Sequence, residues 1–311
     1  MRAITQETLG GPEVLTATTV DRPSPGPTEI LVRVHAAGLN PVDVKSRQFG
    51  GFLGQPPFIL GWDVSGVVEE VGTGVTLFGP GDEVFGMPWF PRQAGAYADY
   101  VTAPSRHFAA KPGDIDHVHA AGLPLAGLTA WQALVDRARV RPGQRVLVHA
   151  AAGGVGHLAV QIAKNLGAYV IGTARAGKHD LLRDLGADEV IDYTAVDVAE
   201  AIEPVDVVLD PIGGENGPRS LRTLRRGGVL VSINSPAEQR LAPQAEELGV
   251  RAGFLLVEPD RSGLLALADL VRAGRLRVLV EAEFPLADAT KAHELSETGR
   301  ATGKIVLITG A

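Results

Sequence analysis

The chain has no cysteine among its 311 residues. That absence excludes a disulfide framework, thiolate-held zinc, an iron–sulfur cluster and a cysteine nucleophile. Any redox chemistry must then come from a bound organic cofactor. No apolar run approaches the roughly 18 residues of a membrane span, so no transmembrane helix is expected. There is no basic run either. With a net charge of -7 and a pI near 5.6, the composition argues against nucleic acid or an anionic membrane as a partner. The segment from Met1 to Leu15 lacks a basic stretch followed by an apolar one. It reads as a first strand rather than a signal peptide, and a cytoplasmic location is expected. Aromatics are scarce, with 3 Trp, 4 Tyr and 9 Phe, and eleven of them fall between Phe49 and Phe108.

What is present is ordinary for a globular chain: 45% hydrophobic and 21% charged residues. The 38 glycines and 21 prolines imply many turns and close backbone approaches. The length suggests two domains at roughly 150 residues each. Residues 1–118 read as short strands with turn chemistry, including Ile30–Ala36, Val64–Val71 and Glu83–Phe85. From about residue 120 the pattern alternates. Strands at Arg145–His149, Tyr169–Thr173, Glu189–Ile191, Val205–Asp210 and Val229–Ile233 are separated by helical stretches. Such alternation predicts βαβ units and a parallel sheet. After residue 275 come a strand at Arg277–Glu281, a helix at Ala287–Glu297 and a last strand at Lys304–Ile308. The expected fold class is therefore α/β. A β-rich domain comprises 1–118 and 275–311, and a doubly wound parallel-sheet domain comprises 119–274. With no long linker, the two are expected to pack with a cleft between them.

The strand ending at His149 runs into Ala150-Ala151-Ala152-Gly153-Gly154-Val155-Gly156 and then a helix. Strand, glycine loop and helix N-terminus are the context a dinucleotide fingerprint requires. Gly153 would let the backbone approach a pyrophosphate, and Gly156 would let the helix pack close to the strand. The helix N-terminus supplies N–H donors to the phosphates. The alternative is a plain tight turn between strand and helix. An NAD site would place a carboxylate after the next strand to bond the ribose. Here that strand ends in Thr173-Ala174-Arg175-Ala176-Gly177-Lys178. Arg175 and Lys178 suit a 2′-phosphate, and Thr173 can donate a hydroxyl, which favours NADPH. The alternative is a solvated loop with two surface cations.

With these residues the sequence resembles the zinc-independent quinone oxidoreductases and enone reductases of the medium-chain dehydrogenase/reductase superfamily. The segments that carry the resemblance are Gly38–Lys45, Leu60–Val68, Leu123–Trp131, Ala151–Gly156, Leu185–Asp188 with Asp192-Tyr193, and Gly303–Val306. It extends over essentially the whole chain. It implies a GroES-like catalytic domain, a Rossmann domain and hydride transfer from NADPH to a quinone or a carbonyl-conjugated alkene. It implies that Gly153, Gly154, Val155 and Gly156 hold the pyrophosphate. Thr173, Arg175, Lys178 and Tyr193 would surround the adenosine phosphate, with Thr129 near the nicotinamide. Ile233, Phe254 and Leu255 would line the cofactor, Arg300 and Ala301 would close it, and Lys45 and Asn40 would face the nicotinamide. Zinc-dependent relatives hold their metal with a Cys and a His-Glu pair. Asn40 and Trp62-Asp63 occupy those positions here, so no metal is expected.

Without a metal, the protein must exclude water, place the acceptor and stabilise a developing enolate. Lys45 is the candidate for that oxyanion and Asn40 a second donor. The alternatives are that Lys45 bonds a cofactor hydroxyl and that Asn40 caps a turn. Phe49, Phe52, Trp89 and Phe90 lie beside Gly and Pro in expected loops, and we read them as the walls of a flat, apolar acceptor site. His117 and His119, without a third ligand nearby, read as surface residues, and Asp63 reads as a structural carboxylate. The apolar strand 250–257 is expected to pair across a two-fold axis and make a homodimer. Two further functions stay open: a pathway-specific enoyl or ketone reductase, and an NADPH-binding regulator without catalysis.

Overall fold

The computed structural model describes residues 1–310, which divide into two compact units, 1–128 with 258–310 and Thr129–Val257. In the first unit a small antiparallel sheet joins Thr16–Thr19, Arg2–Gln6 and Phe58–Ile59. The larger sheet runs in the order Val280–Pro285, Lys304–Ile308, Glu29–Leu39, Val64–Val71, Glu83–Gly86, Phe108–Ala110. Tyr100–Pro104 also pairs with Glu29–Leu39. Ile30, Val32 and Val34 alternate along that central strand and, with Val64, Val84, Phe108, Ile305 and Leu307, fill the core of the unit. The last strand, Lys304–Ile308, pairs antiparallel with Glu29–Leu39, which ties the C-terminal segment into the β-rich unit.

The second unit holds a six-stranded sheet, all parallel. Its order is Glu189–Ile191, Tyr169–Thr173, Arg145–Val148, Val205–Asp210, Leu224–Ser232, Arg251–Phe254. The chain starts in the middle, at Arg145–Val148, and winds outward first to one side and then to the other. That reversal of direction is the doubly wound arrangement in which ligands sit beyond the carboxyl ends of the strands. Val205–Asp210 is buried throughout, as a strand covered on both faces must be.

Three boundaries differ from the expectation. The segment 258–274 clusters with the β-rich unit, because it forms a helix, Arg261–Arg272, whose apolar face carries Leu264, Leu267 and Val271. Leu267 packs so closely on Gly127 that a Cβ there would lie 2.8 Å from its Cδ1. The strand expected at Arg277–Glu281 begins later, at Val280, and runs to Pro285. The stretch from Leu125 to Arg139 reads as a single amphipathic helix in sequence, but Pro124–Trp131 passes at Gln132 into a π-helical turn that runs to Arg137. A helix that the strand-and-turn reading overlooked, Pro41–Phe49, follows Asn40. His117 also differs from a free surface residue. It stacks on His35 at 4.4 Å and lies 2.8 Å from Ser65 Oγ.

Candidate active site

The parallel sheet of the second unit gathers the expected nucleotide residues on one edge, because each follows the carboxyl end of a strand. The glycine loop follows Val148, and Thr173 ends its own strand. Tyr193 follows Ile191, Ile233 follows Ser232, and Leu255 follows Phe254. Ala150 takes a positive φ of 46° to turn the chain. Gly156 opens the helix Gly156–Asn165, and a Cβ on it would lie 2.3 Å from Ala150 O and 2.7 Å from Ala151 Cα. Only glycine lets the helix start this close to the strand.

Beside that loop, Arg175 is exposed and its Nε donates to the Tyr193 hydroxyl at 3.3 Å. Asp192 fixes the backbone there: its Oδ2 accepts from Ala176 N at 3.0 Å and its Oδ1 from Thr194 N at 2.9 Å. Those bonds, led by the Thr194 hydroxyl, hold the Asp192 carboxyl below its ordinary pKa. Lys178 is half-buried at the end of the same loop. Thr173 is 1% exposed, and its Oγ1 lies 3.2 Å from His149 Nδ1. His149 Nε2 in turn lies 2.9 Å from Ser220 Oγ. Burial holds His149 below the usual imidazole range. Tyr193, His149, Asn216, Arg219 and Ser220 are among the walls of an open cavity of about 380 Å³. Thr129 is buried within the helix Pro124–Trp131.

In the β-rich unit, Lys45 stands on the exposed side of the helix Pro41–Phe49, whose buried face carries Asp43, Ser46 and Arg47. Partial burial alone lowers the Lys45 pKa from the ordinary lysine value. Asn40 starts that helix. Its backbone N–H donates to Asp43 Oδ2 at 2.8 Å. Its side chain is 2% exposed and spent on both ends: Nδ2 donates to Asp63 Oδ2 at 2.9 Å, and Oδ1 accepts from Lys304 Nζ. The role expected for Asn40 as a donor to the acceptor is therefore corrected. It is a buried helix cap, the alternative that the sequence left open. Asp63, fully buried, also accepts from Leu125 N at 2.6 Å and is structural as expected. Trp62 is buried, with its indole N–H donating to Arg92 O at 2.6 Å. Among the described residues, no group of three or more His, Cys, Asp or Glu is placed to hold a metal.

Two regions of the sequence match known family models. Residues 26–113 match the alcohol dehydrogenase GroES-like domain, and residues 185–307 match the zinc-binding dehydrogenase domain. A 2-haloacrylate reductase from Burkholderia sp is 36% identical, over 96% of this chain and 96% of its own. The solved structure of the quinone oxidoreductase from Coxiella burnetii superposes with a TM-score of 0.95 at 40% identity, covering 99% of both chains. The quinone oxidoreductase of Escherichia coli complexed with NADPH superposes with a TM-score of 0.89 at 31% identity, over 99% of this chain and 100% of that one. The chain belongs to the quinone oxidoreductase family of medium-chain dehydrogenases/reductases.

For this family member the remaining expected site residues divide. Phe49 is 76% exposed and Phe52 43% exposed. Phe90, in contrast, is buried in an edge-to-face chain, 5.8 Å from the Phe52 ring and 5.4 Å from Trp62. Trp89 packs against the core, and its indole donates to Thr102 O at 2.8 Å. Phe90 and Trp89 therefore depart from the expected pocket-lining role, because packing and a backbone carbonyl already occupy them. Ile233, Phe254 and Leu255 are half-buried in the parallel-sheet unit. Arg300 and Ala301 belong to the β-rich unit, where Ala301 packs on the core. The sequence reading overlooked His149, Lys304 and Asp43. Lys304 lay inside the Gly303–Val306 segment, and Asn40-x-x-Asp43 carries the spacing of a helix-capping box.

Proposed function

We propose that this chain is an NADPH-dependent oxidoreductase that reduces a quinone or an α,β-unsaturated carbonyl by hydride transfer. The observation that carries this reading is the nucleotide edge of the parallel sheet. A glycine start to a helix, where a Cβ would collide with Ala150 O, lies on the same edge as the cationic Arg175 bonded to Tyr193. The pyrophosphate would rest on Gly153, Gly154, Val155 and Gly156. The 2′-phosphate would be met by Arg175, Lys178, Tyr193 and Thr173. Thr129, Ile233, Phe254, Leu255, Arg300 and Ala301 are proposed as further cofactor contacts. The residues fit the cofactor, which when bound supplies the hydride.

The protein supplies charge stabilisation. Lys45 is proposed to donate to the acceptor oxygen as negative charge builds there, or to a cofactor hydroxyl. A contact stronger in the charged transition state than in the ground state is what raises the rate. Phe49 and Phe52, exposed beside that helix, are proposed to meet a flat, apolar acceptor. The final proton is assigned to solvent. Zinc independence is supported by the donor set: Asn40 and Asp63 are taken by Lys304, and Trp62 offers no ligand. Among the described residues, no helix is long and apolar enough to cross a membrane. A cytoplasmic location and a homodimer through 250–257 complete the proposal. The test is loss of NADPH absorbance at about 340 nm with a panel of quinones and enones. NADPH binding without turnover of any member would overturn it.

A further inference from the structure

The last strand meets the first turn of the Lys45 helix through its register. Ile305 pairs with Leu39, so the adjacent positions, Lys304 and Asn40, face each other across the sheet. Gly303 precedes them at a φ of 71°, and a Cβ there would lie 2.3 Å from Leu279 O, so the backbone can enter this register only with glycine. Every residue of the strand from Lys304 to Leu307 is buried. A lysine in such a strand must be paired, since an isolated buried charge costs several kcal/mol. Lys304, 2% exposed, donates to Asn40 Oδ1 and to Asp63 Oδ2, the latter at 3.2 Å.

Buried ion pairs add little net stability compared with apolar residues of the same volume. The Lys304–Asp63 pair does, however, fix an orientation. Asn40 cannot rotate without losing Asp63 or Lys304, and Asn40 is the cap from which Pro41–Phe49 starts. Asp43, one turn in, joins that cap to the neighbouring segment by accepting from Asn40 N at 2.8 Å and Gly61 N at 3.0 Å. At the other end, the buried Arg47 guanidinium pairs with Glu297, and Arg47 O accepts from Gln6 Nε2 at 3.0 Å. Lys45 lies between these two anchors, on the side of the helix that neither touches.

We infer that Lys304 is a positioning residue: through Asn40 and Asp63 it sets the helix Pro41–Phe49 and thereby the place of the Lys45 amine. The inference rests on the reading of Lys45 given above. Its test therefore separates the place of Lys45 from its use.

The chain has six lysines, so methylation with isotope-labelled formaldehyde gives a small set of resonances, and Lys45→Arg identifies that of Lys45. Lys304→Met, Lys304→Arg and Asp63→Asn are compared in the full-length protein. In folded Lys304→Met the Lys45 resonance titrates at higher pH than in the wild type, because loosening returns the amine to water. Turnover of a benzoquinone falls about tenfold to a hundredfold in kcat, with little change in KM, as expected when a group is misplaced rather than lost from binding. Lys304→Arg restores both. Asp63→Asn shifts the Lys45 titration in the same upward direction, although losing a negative charge would by itself move it down. If Lys304→Met does not fold, the Asp63→Asn and Lys304→Arg titrations decide by the same criterion. An unchanged Lys45 titration in either folded Lys304→Met or Asp63→Asn would overturn the inference. A Lys45 shift in both, in a wild-type protein that reduces no quinone or enone, would uphold the positioning role and overturn the proposed reaction instead.

Discussion

Arg175 and Tyr193 are 18 residues apart in sequence, yet Arg175 Nε donates to the Tyr193 hydroxyl at 3.3 Å. The strands Tyr169–Thr173 and Glu189–Ile191 are parallel neighbours, so the loops that leave their carboxyl ends run side by side. The pair presents a cation and a phenol together, the combination that suits a phosphate monoester. Replacing Arg175 and Lys178 by Ala together should weaken NADPH binding far more than NADH binding, by roughly 1.5–3 kcal/mol for each charge-assisted hydrogen bond removed. Fluorescence titration with both cofactors measures this. An equal loss for the two would sink the 2′-phosphate assignment.

Gly156→Ala tests the glycine loop itself. Its Cβ would stand 2.3 Å from Ala150 O and 2.9 Å from Ala151 C, backbone atoms that cannot swing aside. The helix must retreat, at a cost of about 1–3 kcal/mol in stability, and NADPH affinity should fall with it. A thermal melt and a cofactor titration within a few per cent of wild type would show that the close approach is not needed.

The parallel sheet was legible because period and punctuation agree there. Tyr169–Thr173, Glu189–Ile191 and Val205–Asp210 have the bounds the sequence predicts, because short runs rich in β-branched residues end there in polar turns. The helix Pro41–Phe49 was not legible by periodicity. Its buried face carries Asp43, Ser46 and Arg47, all polar, so no apolar stripe marks it. Asn40 was assigned to chemistry for the same reason that Lys304 was overlooked. Their partnership depends on a strand register linking residues 264 apart, which local pattern does not encode. Trp89 and Phe90 were placed in the acceptor site because Gly and Pro surround them, and only the packing shows Trp62 and Thr102 taking them up.

The strand Arg251–Phe254 closes one side of the parallel sheet, paired to Leu224–Ser232 and to no other strand among the described residues. An open edge carrying Ala252 and Phe254 favours pairing with a second copy. Light scattering at micromolar concentration should give twice the 32.6 kDa of one chain. Ala252→Pro, which removes an edge N–H, should shift the population towards monomer. A monomeric wild type would reject the homodimer.

Asp43 predicts an unusual pH dependence of stability. It is fully buried, and desolvation, with Asp63 nearby, pushes its pKa up to about 7 from 3.8. The folded state therefore holds a proton that the unfolded state releases near pH 3.8. Between those two values folding takes up a proton, so this contribution declines as pH rises and is gone above about 7, a loss on the order of 4 kcal/mol. His293 works in the opposite sense. Burial and Arg47 lower its pKa from 6.5 to about 3, so its contribution is lost as pH falls below 6.5. The two largely cancel in the raw profile, and the comparison with Asp43→Asn separates them. In urea unfolding, the wild type should lose stability relative to Asp43→Asn between about pH 4 and pH 7. Parallel profiles for the two proteins would mean that Asp43 is ionised throughout, and that Lys304 neutralises both buried carboxylates rather than Asp63 alone.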